Sequence, residues 1–111
     1  MKMTTPLPNQ PVRGSDSGIP IMAAFDLLGR KWNMRILWEL NQQALSFRNL
    51  QQRCNGMSPS VLNTRLKQLS DAKLLNSTPQ GYQLTALGES LMEKLNPLRE
   101  WAVEWEAQVS S

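Results

Sequence analysis

The side chains best suited to recognition chemistry stand within residues 58–67, with one more upstream at Arg48. Ser58, Ser60, Asn63 and Thr64 carry hydroxyl and amide groups that both donate and accept hydrogen bonds, as nucleic-acid base edges require. Arg48 and Lys67 are cations of the kind that meet phosphate. At about 100° per residue, Ser60, Asn63, Thr64 and Lys67 fall on one arc of a helix, and Leu62, Leu66 and Leu69 gather on the opposite side. Arg65 sits at the border of the apolar side, placed either to bend to a phosphate or to lie along the protein with its stem packed.

Two short helices must hold these groups. Ser46 is a natural cap for the first, with Leu45 and Leu50 spaced as a hydrophobic staple. Asn55 and Gly56 supply the stop, because both tolerate a left-handed backbone. Ser58 then caps a second helix whose first position is Pro59, where a missing N–H costs nothing. The pair reads as a helix-turn-helix, which places its second helix in the DNA major groove.

The flanking sequence predicts the rest of one domain over residues 19–111, preceded by a mobile or extended arm over residues 1–18, rich in Pro and Gly. A helix is expected over residues 20–28, with Ile21, Ala24, Phe25 and Leu28 on one face and Gly29 ending it. Another is expected over residues 31–41, burying Trp32, Ile36, Leu37 and Leu40. Pro79-Gln80-Gly81 is a turn signal with short strands at Leu74-Leu75 and Tyr82–Leu84, which adds a wing. Thr85 caps a helix to about Leu95. Pro97 disfavours helix at Asn96, so Asn96 is expected to cap a final helix over residues 97–109. The fold class is therefore mainly α: a winged helix-turn-helix with a short two-stranded wing and C-terminal helices.

Composition narrows the function. The chain has 111 residues, 41 % of them hydrophobic, with no His and a single cysteine, Cys54. A His/Cys zinc site on one chain and a Ser-His-Asp triad are both excluded. Glu89, Glu93 and Glu100 look like solvated helix charges, so no catalytic residue, cofactor or metal is expected. Cys54 falls on the inward face of its helix and reads as structural; a redox role would need exposure and a lowered pKa. There is no apolar run of bilayer length and no signal-peptide pattern, which predicts a cytoplasmic protein. Residues 1–75 carry a charge of +6 and residues 76–111 carry −3. The basic part, which contains the helix-turn-helix, suits a polyanion.

The order of motifs resembles the HxlR-type winged helix-turn-helix regulators of bacteria. The resemblance runs through FDLLGRKWNMRILWEL, LSFRNLQQRCNGMSPSVLNTRLKQL and YQLTALGESL. It matches the family at Gly29, Lys31 and Trp32; at Phe47 and Leu50; at Ser58, Val61, Leu62, Arg65 and Leu66; and at Leu84, Thr85, Gly88 and Leu91. It implies a dimeric DNA-binding transcriptional regulator whose first and last helices form the dimer contact. That assigns Ile21, Phe25, Leu98, Trp101 and Trp105 to an interface. Trp101 and Trp105, one turn apart with Leu98 and Val109, also read on their own as an apolar stripe; packing back on the first helices is the other way to cover it.

Departures from the family pattern are informative. Arg30 stands where a second Gly is usual. The wing is short, and no Lys or Arg lies between Lys73 and Lys94. The family's common cysteine before the first helix is missing. The expected function is sequence-specific binding of double-stranded DNA by a homodimer at an inverted repeat, with no membrane role; the sequence names no small-molecule effector. The competing reading is a winged-helix protein–protein adaptor that has lost specific DNA binding, which the short uncharged wing favours and the polar recognition helix opposes.

Overall fold

The computed structural model describes residues 5–111; the first four residues of the expected arm lie outside them. The elements are α1 (Pro20–Gly29), α2 (Asn33–Leu40), α3 (Phe47–Arg53), α4 (Pro59–Asp71), β1 (Leu75–Thr78), β2 (Gly81–Leu84), α5 (Ala86–Leu95) and α6 (Leu98–Ser110). No helix among the described residues is long and apolar enough to cross a membrane.

Three side-chain caps set the helix starts. Ser46 Oγ accepts from the Asn49 amide at 3.1 Å, Ser58 Oγ from the Val61 amide at 3.2 Å, and Thr85 Oγ1 from the Gly88 amide at 3.1 Å. Each satisfies an N–H that the first turn leaves unpaired. The core gathers around Ile36, Leu37, Leu50, Leu62, Leu69 and Leu75, all fully buried. Cys54 is buried among them, and burial pushes its thiol up from the ordinary range despite the Arg35 charge nearby.

In α1 the buried stripe is Ala23 and Leu27, and Ile21 and Phe25, assigned to an interface, face solvent. Several local expectations are corrected. The start of α2 moves to Asn33, because Trp32 takes a left-handed backbone at φ 80° and is only half-buried. The buried Asn33 donates from Nδ2 to the Leu27 carbonyl at 2.7 Å, which joins α1 to α2. The stop after α3 is Gly56 at φ 92°, with Cys54 rather than Asn55 as the C-cap.

The wing strands are longer than expected and pair antiparallel from Leu75↔Leu84 to Thr78↔Gly81, leaving Pro79-Gln80 as the whole turn. Leu45 bridges to Tyr82 through N···O contacts of 3.0 and 2.7 Å, so the entry to α3 is tied to the wing. Asn96 does not cap α6. It keeps helical angles (φ −53°, ψ −40°) as the C-cap of α5, and Pro97 begins α6 without a side-chain cap. The bias against helix before proline is a tendency, and here a continuing helical path overrides it.

Residues 5–18 fold back on the body. Asn9 N–H donates to the Gly18 carbonyl at 3.0 Å, Val12 and Ser15 exchange backbone hydrogen bonds, and Pro6 is buried. The Thr5 hydroxyl donates to Asp71 at 2.9 Å, reaching the end of α4. Asp26 anchors the other end: it accepts the Arg13 amide at 2.9 Å and two Arg30 guanidinium bonds at 3.2 and 3.3 Å. Burial alone would raise the Asp26 carboxyl, but these hydrogen bonds and the two positive charges outweigh it and hold it below the ordinary carboxylate range.

Close approach makes Gly88 irreplaceable. A Cβ there would lie 2.1 Å from the Leu74 carbonyl oxygen, where the start of α5 sits on the residue leading into the wing. Gly88→Ala should therefore cost about 3 kcal/mol or more in urea unfolding. Gly29→Ala, with nothing within 4 Å of its Cβ, should change stability by less than about 1 kcal/mol.

Asp26 makes a second prediction. Its folded pKa lies below the unfolded value, so its contribution is fully present above about pH 4 and is lost as pH falls through the folded pKa. Asp26→Asn should destabilise by about 1–3 kcal/mol at pH 7. The gap between variant and parent should shrink as unfolding is repeated toward pH 2.

Candidate nucleic-acid interface

The helix α4 has two faces, and burial separates them cleanly. Leu62, Leu66 and Leu69 are buried, as is Gln68. Ser60, Asn63 and Lys67 are exposed along the opposite side, and Ser58 stands exposed at the N-terminus. Arg48 is exposed on the first turn of α3. Thus the polar row expected from the spacing is a solvent-facing surface of one helix.

Individual side chains are differently committed. Ser58 spends its oxygen on the cap, and its Oγ lies 3.4 Å from that of Ser60. Thr64 is half-buried and its hydroxyl donates to the Ser60 carbonyl at 3.0 Å, which leaves oxygen lone pairs and the methyl for an outside contact. Asn63 has no hydrogen-bond partner among the described residues, so its amide is unspent. Lys67 pairs with Asp71 at 3.2 Å across one turn. Such an exposed pair is worth about 0–1 kcal/mol, so a phosphate can compete for the ammonium.

Arg65 takes the packed alternative. It is half-buried, its Nη1 donates to Gln68 at 3.1 Å, and its Nε has no partner among the described residues. Burial, followed by the charges of Arg30 and Arg13, pushes its pKa below the ordinary guanidinium value. The structure therefore sets Arg65 apart from the exposed row.

A charged joint supports the motif from behind. Glu39 on α2 accepts from Arg35 at 2.8 Å and from Arg53 of α3 at 3.3 Å. Arg35 also donates to the Arg53 carbonyl at 2.9 Å, satisfying one of the last carbonyls of α3. Sequence reasoning missed this joint and the Asp26–Arg30 pair. The signal was there in the four-residue spacing of Asp26 and Arg30 and of Arg35 and Glu39.

The second candidate surface is apolar. Ile21, Phe25, Leu98, Trp101 and Trp105 are between 45 % and 62 % exposed, and no residue of α6 is buried. Trp101 and Trp105 stack on each other with centroids 5.5 Å apart and stay more than half exposed. Arg99 lies over the Trp38 ring at 4.8 Å and tethers α6 to α2. Ile19, Leu87, Val103 and Val109 extend the exposed apolar area, and the sequence reading had not placed the first three there.

Comparison with known proteins agrees with this geometry. The chain is 27 % identical over 88 residues to an HTH-type transcriptional regulator, MJ0925, of Methanocaldococcus jannaschii, covering 76 % of this chain and 83 % of that protein. It is 32 % identical over 85 residues to the regulatory protein MalR of Fusobacterium mortiferum, covering 69 % and 80 %. Among solved structures, the quinone-bound YodB of B. subtilis superposes with a TM-score of 0.71 at 27 % identity, over 76 % of this chain and 96 % of that one. The family model for the HxlR-like helix-turn-helix matches residues 27–110, which takes in both helices of the motif, the wing and α6. With that match over most of its length, the chain belongs to the HxlR-like helix-turn-helix family of transcriptional regulators.

Proposed function

We propose that the protein regulates transcription as a cytoplasmic homodimer that binds double-stranded DNA sequence-specifically at an inverted repeat. The observation that carries this reading is α4: capped by Ser58, pinned by buried leucines, and exposing Ser60, Asn63 and Lys67. Ser60, Asn63 and Thr64 read bases; Lys67 and Arg48 meet phosphates, and Ser58 positions the helix start. Arg65 contributes through packing. The exposed apolar sides of α1 and α6 support the dimer, since aromatic side chains are enriched in such interfaces. Twofold symmetry then sets two α4 helices about 34 Å apart, one turn of DNA.

The uncharged two-residue wing turn favours the adaptor reading, in which no duplex is bound specifically. The quinone-bound YodB supports a small-molecule effector for this family member too. Cys54 is not the group to capture one, because it is buried with its thiol pushed up.

Alanine variants test the DNA reading. Asn63→Ala should narrow the gap between specific and random duplex by about 1–3 kcal/mol. Lys67→Ala should weaken both about equally and lower the salt slope by about one. Gel shifts in which the parent shows no preference among duplexes would favour the adaptor.

The dimer has its own test. Trp101 and Trp105 are more than half exposed in the protomer, so replacing both by Ala should leave the fold intact. Sedimentation of the double variant should show monomers, with operator affinity lost by at least tenfold. A double variant that sediments like the parent places the interface elsewhere.

A further inference from the structure

A cavity of about 310 Å³ opens along the flank of α1 that carries Ala23, Ala24 and Leu27. Ala23, Leu27 and Leu74 form a buried floor, Leu87 and Leu91 of α5 form a wall, and the buried Pro6 closes one side. Alanines at 23, 24 and 72 leave the space that larger side chains would fill. The lining is apolar apart from one edge, where Lys94 Nζ lies 3.1 Å from Ser90 Oγ. Lys94 is exposed and has no carboxylate within 4.0 Å among the described residues, so its ammonium is met by water and a ligand's anion can take it. An apolar hollow of a few hundred Å³ with few, localised polar groups is the common form of a small-molecule site.

We infer that this cavity binds a small molecule with an apolar body and one negative charge: a compact aromatic or branched carboxylate, its carboxylate on Lys94. The assignment rests on charge complementarity. An all-apolar occupant would leave the ammonium unused, and a cation would meet it with like charge. The proposal concerns binding and does not depend on whether α4 reads DNA. Its position connects it to α4, because Ala72 and Leu74 follow on that helix and Pro6 adjoins Thr5, which is bonded to Asp71 of α4.

The test is an amide NMR titration of the full chain with 4-tert-butylbenzoate and with its neutral amide, 4-tert-butylbenzamide. The carboxylate should give saturable shifts at Ala23, Leu27 and Leu74. Lys94→Gln should weaken the carboxylate about fivefold and leave the amide's binding unchanged. Ala24→Leu should abolish both; Ala72→Leu fills the space from the other side if Ala24→Leu unfolds. Three results overturn the proposal: no saturable shift at millimolar carboxylate, shifts centred on Trp101 and Trp105, or an unaltered carboxylate affinity in Lys94→Gln. Shifts of the Leu74 and Leu91 amides, which lie off the α1 and α6 faces proposed for the dimer, on diluting the protein alone without ligand would overturn it as well, since they would show the hollow is covered by a second copy.

Discussion

What this protein can present to DNA depends on one constraint: α4 must bury Leu62, Leu66 and Leu69 and still leave Ser60, Asn63 and Lys67 in water. Burial of each leucine is worth about 1.5–3 kcal/mol, whereas the exposed Lys67–Asp71 pair on the other face is worth about 0–1 kcal/mol. The apolar side therefore fixes the rotation of the helix, and the polar side is free to vary in chemistry without moving it. The Ser58 cap and Pro59 set where the helix begins, which fixes the height of Ser60 and Asn63 above the core.

Around this helix the fold uses buried charge at its joints. Glu39 locks α3 to α2 through Arg35 and Arg53. Asp26 gathers Arg30 and the Arg13 amide and so holds the α1–α2 connection and the N-terminal segment together. Each carboxylate is mostly buried, and a buried charge stays favourable only while its partners are in place. Arg30, which follows α1, supplies this contact. Arg65, half-buried and bonded to Gln68 of its own helix, is a cation that the helix could have offered outward and instead commits to packing.

The parts of the structure governed by local chemistry were legible in the sequence. The Ser46, Ser58 and Thr85 caps and the leucine face of α4 follow from residue type and spacing alone; spacing also showed the apolar stripe of Trp101 and Trp105 but left open what covers it. Non-local geometry hid the rest. The break at Asn96–Pro97 is where the spacing put it, but Asn96 keeps helical angles and closes α5 instead of capping α6. The Leu45–Tyr82 bridge joins segments far apart in sequence, and no periodicity signals it. In α1 the sequence reading did not single out Ala23 and Leu27, the two residues the core takes. At the candidate interface, residue types showed which side chains could meet DNA, and only packing separated Arg65 from them.

The central claim is that two α4 helices, related by a dimer axis, read DNA as a pair. Selection of duplexes bound by the intact protein from a random-sequence pool, at physiological salt, tests it most directly. The account requires an enriched inverted repeat with half-site centres about 10 base pairs apart. Enrichment of a single unpaired half-site, or no enrichment at all, would contradict it.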